Sequence, residues 1–114
     1  DLMRSTIDDM AHEEMWVILL NKGNKLIRRQ KMSSGGTTAT ILDVKMILKA
    51  VVETHAQSII LVHNHPSGSL SPSRADIEIT NKIKEAVKYF DITLMDHIIV
   101  ADIGYYSFID QGML

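Results

Sequence analysis

Residues 58 to 76 read SIILVHNHPSGSLSPSRAD, and this stretch decides both the fold class and the place of the chemistry. Its opening, Ser58-Ile59-Ile60-Leu61-Val62, is an apolar run short enough for a buried strand, ended by polar sequence bearing Pro and Gly. His63 and His65 leave the end of that strand. Extended backbone alternates its side chains with a period of two, so both imidazoles point to one side, and Pro66 supports the extension by disfavouring helical backbone at His65. After the loop, Ser73-Arg74-Ala75-Asp76 reads as the start of a helix with Ser73 as N-cap and Asp76 three residues on. Ser73 and Asp76 then face back toward the strand end.

Two imidazoles and one carboxylate make the protein half of a catalytic zinc site, which keeps a fourth position open for water. A metal so held lowers the pKa of that water to about 7. Plainer readings exist for the same residues. Ser73-x-x-Asp76 is also a capping-box start that needs no metal, and a histidine pair beside a turn can sit on the surface. His63-x-His65 alone is a weak motif; the set with Ser73 and Asp76 is far more specific.

His63-x-His65, then seven residues, Ser73, two residues and Asp76 resembles the signature of the JAMM (MPN/JAB) metalloprotease-like domains. The wider wording HNHPSG, PSRAD and Asp96-His97-Ile98-Ile99-Val100 resembles the bacterial RadC family, historically called DNA repair proteins, from about Glu13 to Leu114. Asn64 departs from the general JAMM pattern, where Ser or Thr often stands between the histidines, but Asn is usual in the RadC-like branch.

The resemblance implies one catalytic zinc ion held by His63, His65 and Asp76, with Ser73 as a hydrogen-bond donor to the oxyanion. It also asks for a glutamate acid/base just ahead of the first strand. Glu13 and Glu14 both stand there and, by alternation, point opposite ways. In RadC-like chains the acid lies eight residues before the Asn or Asp that ends the strand, and counting back from Asn21 picks Glu13. Glu14 is then its solvated neighbour. The implied activity is that of a metallopeptidase acting on peptide or isopeptide bonds. The alternatives are a DNA-repair-associated nucleic-acid-binding domain and a non-catalytic scaffold.

Composition bounds these readings. A chain of 114 residues with 46% hydrophobic content builds one domain and is too short for two. The formal net charge of -2 and a pI of about 6.2 lack the basic footprint of nucleic-acid binders, so a nucleic-acid partner is weakly supported beside a peptide or protein substrate. There is no cysteine, which excludes disulfides and thiolate ligands and suits a reducing compartment. Apolar runs are shorter than the roughly 20 residues of a membrane helix, and DLMRSTIDDM lacks a signal-peptide core, which makes a cytoplasmic protein the default. Nothing in the sequence sets an oligomeric state.

Residues 1–11 carry no clear period and read as the remnant of the helical segment that RadC-like proteins place before this domain. Met15 to Leu20 is apolar on both faces, hence a central strand. The turn Asn21-Lys22-Gly23-Asn24 returns the chain as Lys25 to Met32, whose cations Lys25, Arg28, Arg29 and Lys31 mark a guarded edge or, less simply, a patch for an acidic partner. Ser33 to Thr38 reads as a loop. Asp43 caps a helix whose apolar face is Val44, Ile47, Leu48, Val51 and Val52, with His55 at its end a dipole partner or solvated. A second helix from Ser73 to about Tyr89 buries Ile77, Ile79 or Thr80, Ile83, Ala86, Val87 and Phe90. Strands follow at Ile92 to Ala101 and at Tyr105 to Phe108. Of Asp96 and His97, at most one faces the site. The preferred reading is a buried polar pair bonded to backbone or loop; the sharper one is that Asp96 or another group receives the far ring N–H of a ligating histidine. The order ββαβαββ predicts an α/β fold, a mixed sheet with flanking helices, and this is the JAB/MPN, cytidine-deaminase-like architecture that the resemblance implies.

Overall fold

The computed structural model describes residues 13–34 and 44–114. The expectations for residues 1–11, for the end of the Ser33 to Thr38 loop and for Asp43 as a cap lie outside them. The elements are β1 (Glu14–Leu20), β2 (Leu26–Ser34), α1 (Val44–Thr54), β3 (Ser58–Asn64), α2 (Arg74–Lys88), β4 (Thr93–Ala101) and β5 (Gly104–Ser107). They form one five-stranded sheet in the order β2-β1-β3-β4-β5. Only β3 and β4 run parallel, as a strand–helix–strand crossover through α2 requires; the other pairs are antiparallel. β2 is an edge, as its cations predict, and Arg28 and Lys31 are spent on Glu53 at 3.2 Å and Glu14 at 3.5 Å.

Period-two alternation divides the sheet into two faces. Met15, Val17, Leu19, Ile59 and Leu61 face both helices, packing on Ile47, Ala50 and Val51 of α1 and Ile83 and Val87 of α2. Ile18, Leu20, Val62 and Val100 cluster on the opposite face with Trp16, Ile60, Met95 and Ile98. His63 follows Leu61 in phase and so lies on the helix-covered face.

Two helix faces differ from expectation at their ends. Val52 is 61% exposed and Ala50 is buried in its place, while Phe90 is 51% exposed because α2 stops at Lys88. The loop expected from Ser33 begins later, since β2 pairs with β1 through Ser34.

A β-bulge in β4 sets the geometry of the site. Ile59 pairs with Leu94 but Ile60 pairs with Asp96, leaving Met95 as an extra residue. The insertion shifts the alternation by one, so His97 as well as Leu94 faces the helices. Without it, residues separated by three would face opposite ways.

Candidate metal centre

His63 ends the buried part of β3, and His65 is held just past it by donating its backbone N–H to the Val100 carbonyl at 3.0 Å. Pro66 and Ser67 then turn the chain, and Gly68 closes the turn on the His65 carbonyl with φ of +86°, a backbone conformation that glycine adopts without strain. Across the turn, Ser73 caps α2 in a full capping box: its Oγ accepts from the Asp76 N–H, and an Asp76 carboxylate oxygen accepts from the Ser73 N–H at 2.8 Å. The box and the site share that carboxylate. Asp76 thus has its side chain aimed by helix initiation itself, which also leaves the Ser73 hydroxyl proton free to donate.

These elements bring three ligand-capable side chains together. The Nε2 atoms of His63 and His65 stand 2.9 Å apart, and Asp76 approaches them at 3.2 Å through Oδ1 and 3.1 Å through Oδ2. Atoms bound to a tetrahedral zinc at about 2.0–2.1 Å are about 3.3 Å from each other, so the spacing fits one shared ion. Glu13 stands a step further out, with Oε1 4.0 Å from His63 Nε2, though it also falls within 4.8 Å of both histidines as a group that could hold a metal. Glu14 points away. Its carboxylate accepts from the Trp16 indole at 3.0 Å and meets Lys31, while its backbone N–H is held by Asn64 at 2.6 Å.

The electrostatics call for a positive charge at this point. The hydrogen bond and charge of Asp76 raise the His65 pKa against the opposing effect of burial, the Ser69 carbonyl adding to the rise. Burial alone would push the Asp76 carboxyl up, but its contacts with His63 and His65 and the bond from Ser73 leave it well below the usual carboxylate range. Without metal, this environment favours the protonated form of His65. A cleft of about 400 Å³ opens beside the cluster, lined by Glu13, His65, Asp76 and by Ser67, Ser69, Ser71 and Ser73.

The pair Asp96-His97 separates as alternation demands, though not in the way preferred from sequence. Asp96 is bonded to backbone and loop, its carboxylate accepting from the N–H groups of His97 and Ile109 and from the Ser107 hydroxyl at 2.6 Å. His97 instead reaches the site: its Nε2 lies 2.7 Å from His63 Nδ1, and its Nδ1 lies 2.5 Å from Thr80 Oγ1. Desolvation, reinforced by the neighbouring His63, pushes the His97 pKa down to about 3, so the ring is neutral. Local sequence held no signal for this contact, because it depends on the bulge. His55 is exposed at the end of α1 with φ of 57°, away from the cluster.

Comparison with known proteins agrees with this geometry. The family model described as "RadC-like JAB domain" matches residues 1–113. The chain is 46% identical over 112 residues to a UPF0758 protein of Flavobacterium johnsoniae, an alignment covering 98% of this chain and 49% of that protein. It is 43% identical over 109 residues to one of Porphyromonas gingivalis, with 95% and 48% covered, and 37% identical over 114 residues to one of Chlorobium chlorochromatii, with 100% and 51% covered. The chain thus spans about half the length of these curated relatives. The mixed five-stranded sheet, the two helices and the family match lead to one conclusion: this chain belongs to the RadC family of JAB-domain proteins.

Proposed function

We propose that this domain is a zinc-dependent amide hydrolase in which His63, His65 and Asp76 hold the metal, Glu13 is the acid/base and Ser73 stabilises the oxyanion. One observation carries the reading. Two imidazole nitrogens and a carboxylate converge within 2.9–3.2 Å with no cationic side chain among the described residues to balance them. Asp76 fits the ligand distance better than Glu13, which at 4.0 Å stands outside it.

Zinc bound there would supply Lewis acidity, bringing a water to a pKa of about 7. The chain's own residues do the rest. Glu13, partly exposed at the mouth of the cleft, takes the proton of the attacking water on its carboxylate and returns it to the leaving nitrogen. Ser73 donates its free hydroxyl proton to the carbonyl oxygen as that oxygen gains charge. His65 and Asp76, which would hold the metal, line the cleft beside Glu13. The open, serine-lined cleft suits an extended peptide or protein tail.

The setting we infer is cytoplasmic, since the chain has no cysteine and no helix among the described residues is long and apolar enough to cross a membrane. A nucleic-acid role draws less support, because Arg28 and Lys31 of the basic strand are already ion-paired. The test is elemental analysis of protein purified without chelator, beside a Glu13→Gln variant. Near-stoichiometric zinc in both, with peptide hydrolysis falling at least a hundredfold in Glu13→Gln, supports the reading. Absence of zinc after it is offered, or hydrolysis unchanged in the variant, refutes it.

A further inference from the structure

We propose that His97, backed by Thr80, is a positioning residue that locks His63 in the tautomer presenting a bare Nε2 to the site. The statement about zinc affinity below rests on the proposed metal site; the tautomer itself is a property of the metal-free protein.

Counting protons gives the direction of the chain. Thr80 Oγ1 lies 2.6 Å from the Asp76 carbonyl oxygen, which can only accept, so the single hydroxyl proton of Thr80 is used there. Reversing it would press two oxygen lone pairs together at that distance. Thr80 must therefore accept from His97, whose Nδ1 carries the proton across 2.5 Å. A neutral imidazole has one N–H, so His97 Nε2 is an acceptor, and His63 Nδ1 donates to it across 2.7 Å. His63 Nε2 is left bare, 2.9 Å from His65 Nε2 and 3.2 Å from Asp76. His65 is oriented independently, by donating its Nδ1–H to the Ser69 carbonyl at 2.8 Å, which turns its Nε2 toward His63 and Asp76.

The relay begins and ends on the candidate ligands. Its anchor is the main-chain carbonyl of Asp76, and its far end is the ring of His63, so the β3 ligand and the α2 ligand are tied behind the site as well as in front of it. The His97 ring is itself clamped. Phe108 stacks on it at 4.6 Å and 9°, and Asp96 fastens its backbone to β5. A group that accepts the far N–H of a metal-binding histidine fixes both tautomer and ring angle, and its removal typically lowers metal affinity by about 10- to 100-fold.

Nitrogen-detected NMR of histidine-labelled, zinc-free protein at pH 8 tests the tautomer. We expect His63 and His97 both protonated at Nδ1 and bare at Nε2. A proton on His63 Nε2 overturns the proposal, whether or not the protein binds zinc. Competition against a chromogenic chelator then measures zinc affinity: His97→Phe, which keeps the stacking but loses both ring nitrogens, should bind about 10- to 100-fold more weakly. His97→Gln, whose amide oxygen can still accept from His63, should recover most of the loss, an outcome that a merely space-filling role would not produce. Affinity within twofold of wild type in His97→Phe overturns the proposal. Should His97→Phe fail to fold, Thr80→Val decides: a mixed His97 tautomer with weakened zinc binding supports the relay, and unchanged tautomers refute it.

Discussion

Replacing Asp76 by asparagine separates the two tasks that this side chain performs. In the zinc-free protein the change keeps the helix cap but removes the carboxylate that favours protonated His65. The asparagine oxygen can take the place of Oδ2 and accept from the Ser73 N–H, preserving the capping box, while the new NH2 stands where Oδ1 lies 3.2 Å from His63 Nε2 and gives that lone pair a donor. With the cap kept, the cost in the zinc-free protein is that of the lost carboxylate–imidazole contacts and not of the N-cap. Toward zinc the change is severe, since the one anionic ligand becomes a neutral donor. At a zinc concentration one hundred times the dissociation constant, wild type gains about 2.7 kcal/mol. For a domain of about this size each kcal/mol moves Tm by about 4–8 °C, so zinc should raise the wild-type Tm by roughly 10–20 °C. Differential scanning calorimetry at pH 7.5 should find that shift in wild type and none in Asp76→Asn, each measured from its own zinc-free midpoint. An undiminished shift in the variant would refute the assignment and move the metal to the alternative group of Glu13, His63 and His65.

Other expectations follow from the same geometry. Ser73→Ala deletes the acceptor for the Asp76 N–H and should destabilise the protein by about 1 kcal/mol in urea titration. On the proposed mechanism it also lowers kcat about a hundredfold or more, with Ser73→Thr restoring both. The zinc-free protein should be most stable near pH 6.5. The stabilisation from protonated His65, whose pKa is raised, is complete below 6.5 and is lost as pH rises through the raised value. The stability tied to neutral His97 is present above 6.5 and is lost as pH falls toward about 3. Urea midpoints across pH should show the alkaline limb flattened in His65→Gln and the acid limb flattened in His97→Phe; a monotonic profile in wild type would count against both shifts. Because the same His65 proton competes with metal, zinc affinity should fall as pH drops below its raised pKa, which pH-stepped chelator competition measures.

Much of this molecule is legible in local sequence because its signals have short range. The apolar run before His63, the proline after His65 and the serine three residues before Asp76 each constrain backbone within a few residues, so strand end, turn and helix start follow from them. The alternation that sends Glu13 and Glu14 to opposite sides is equally local, and the structure places Glu13 by the cluster and Glu14 against Trp16 and Lys31. Period arguments fail where the period is interrupted. The bulge at Met95 arises from how β4 pairs with β3, two strands separated in sequence by a helix, and no property of Thr93 to Ala101 alone locates it. It resets which residues face the helices and so turns His97 toward His63 and Asp96 toward β5. The sequence by itself marked the residues to which we assign the chemistry and the element on which each stands; only the tertiary structure decided what lies behind them, because a contact between β4 and β3 is made by strand register and not by neighbours along the chain.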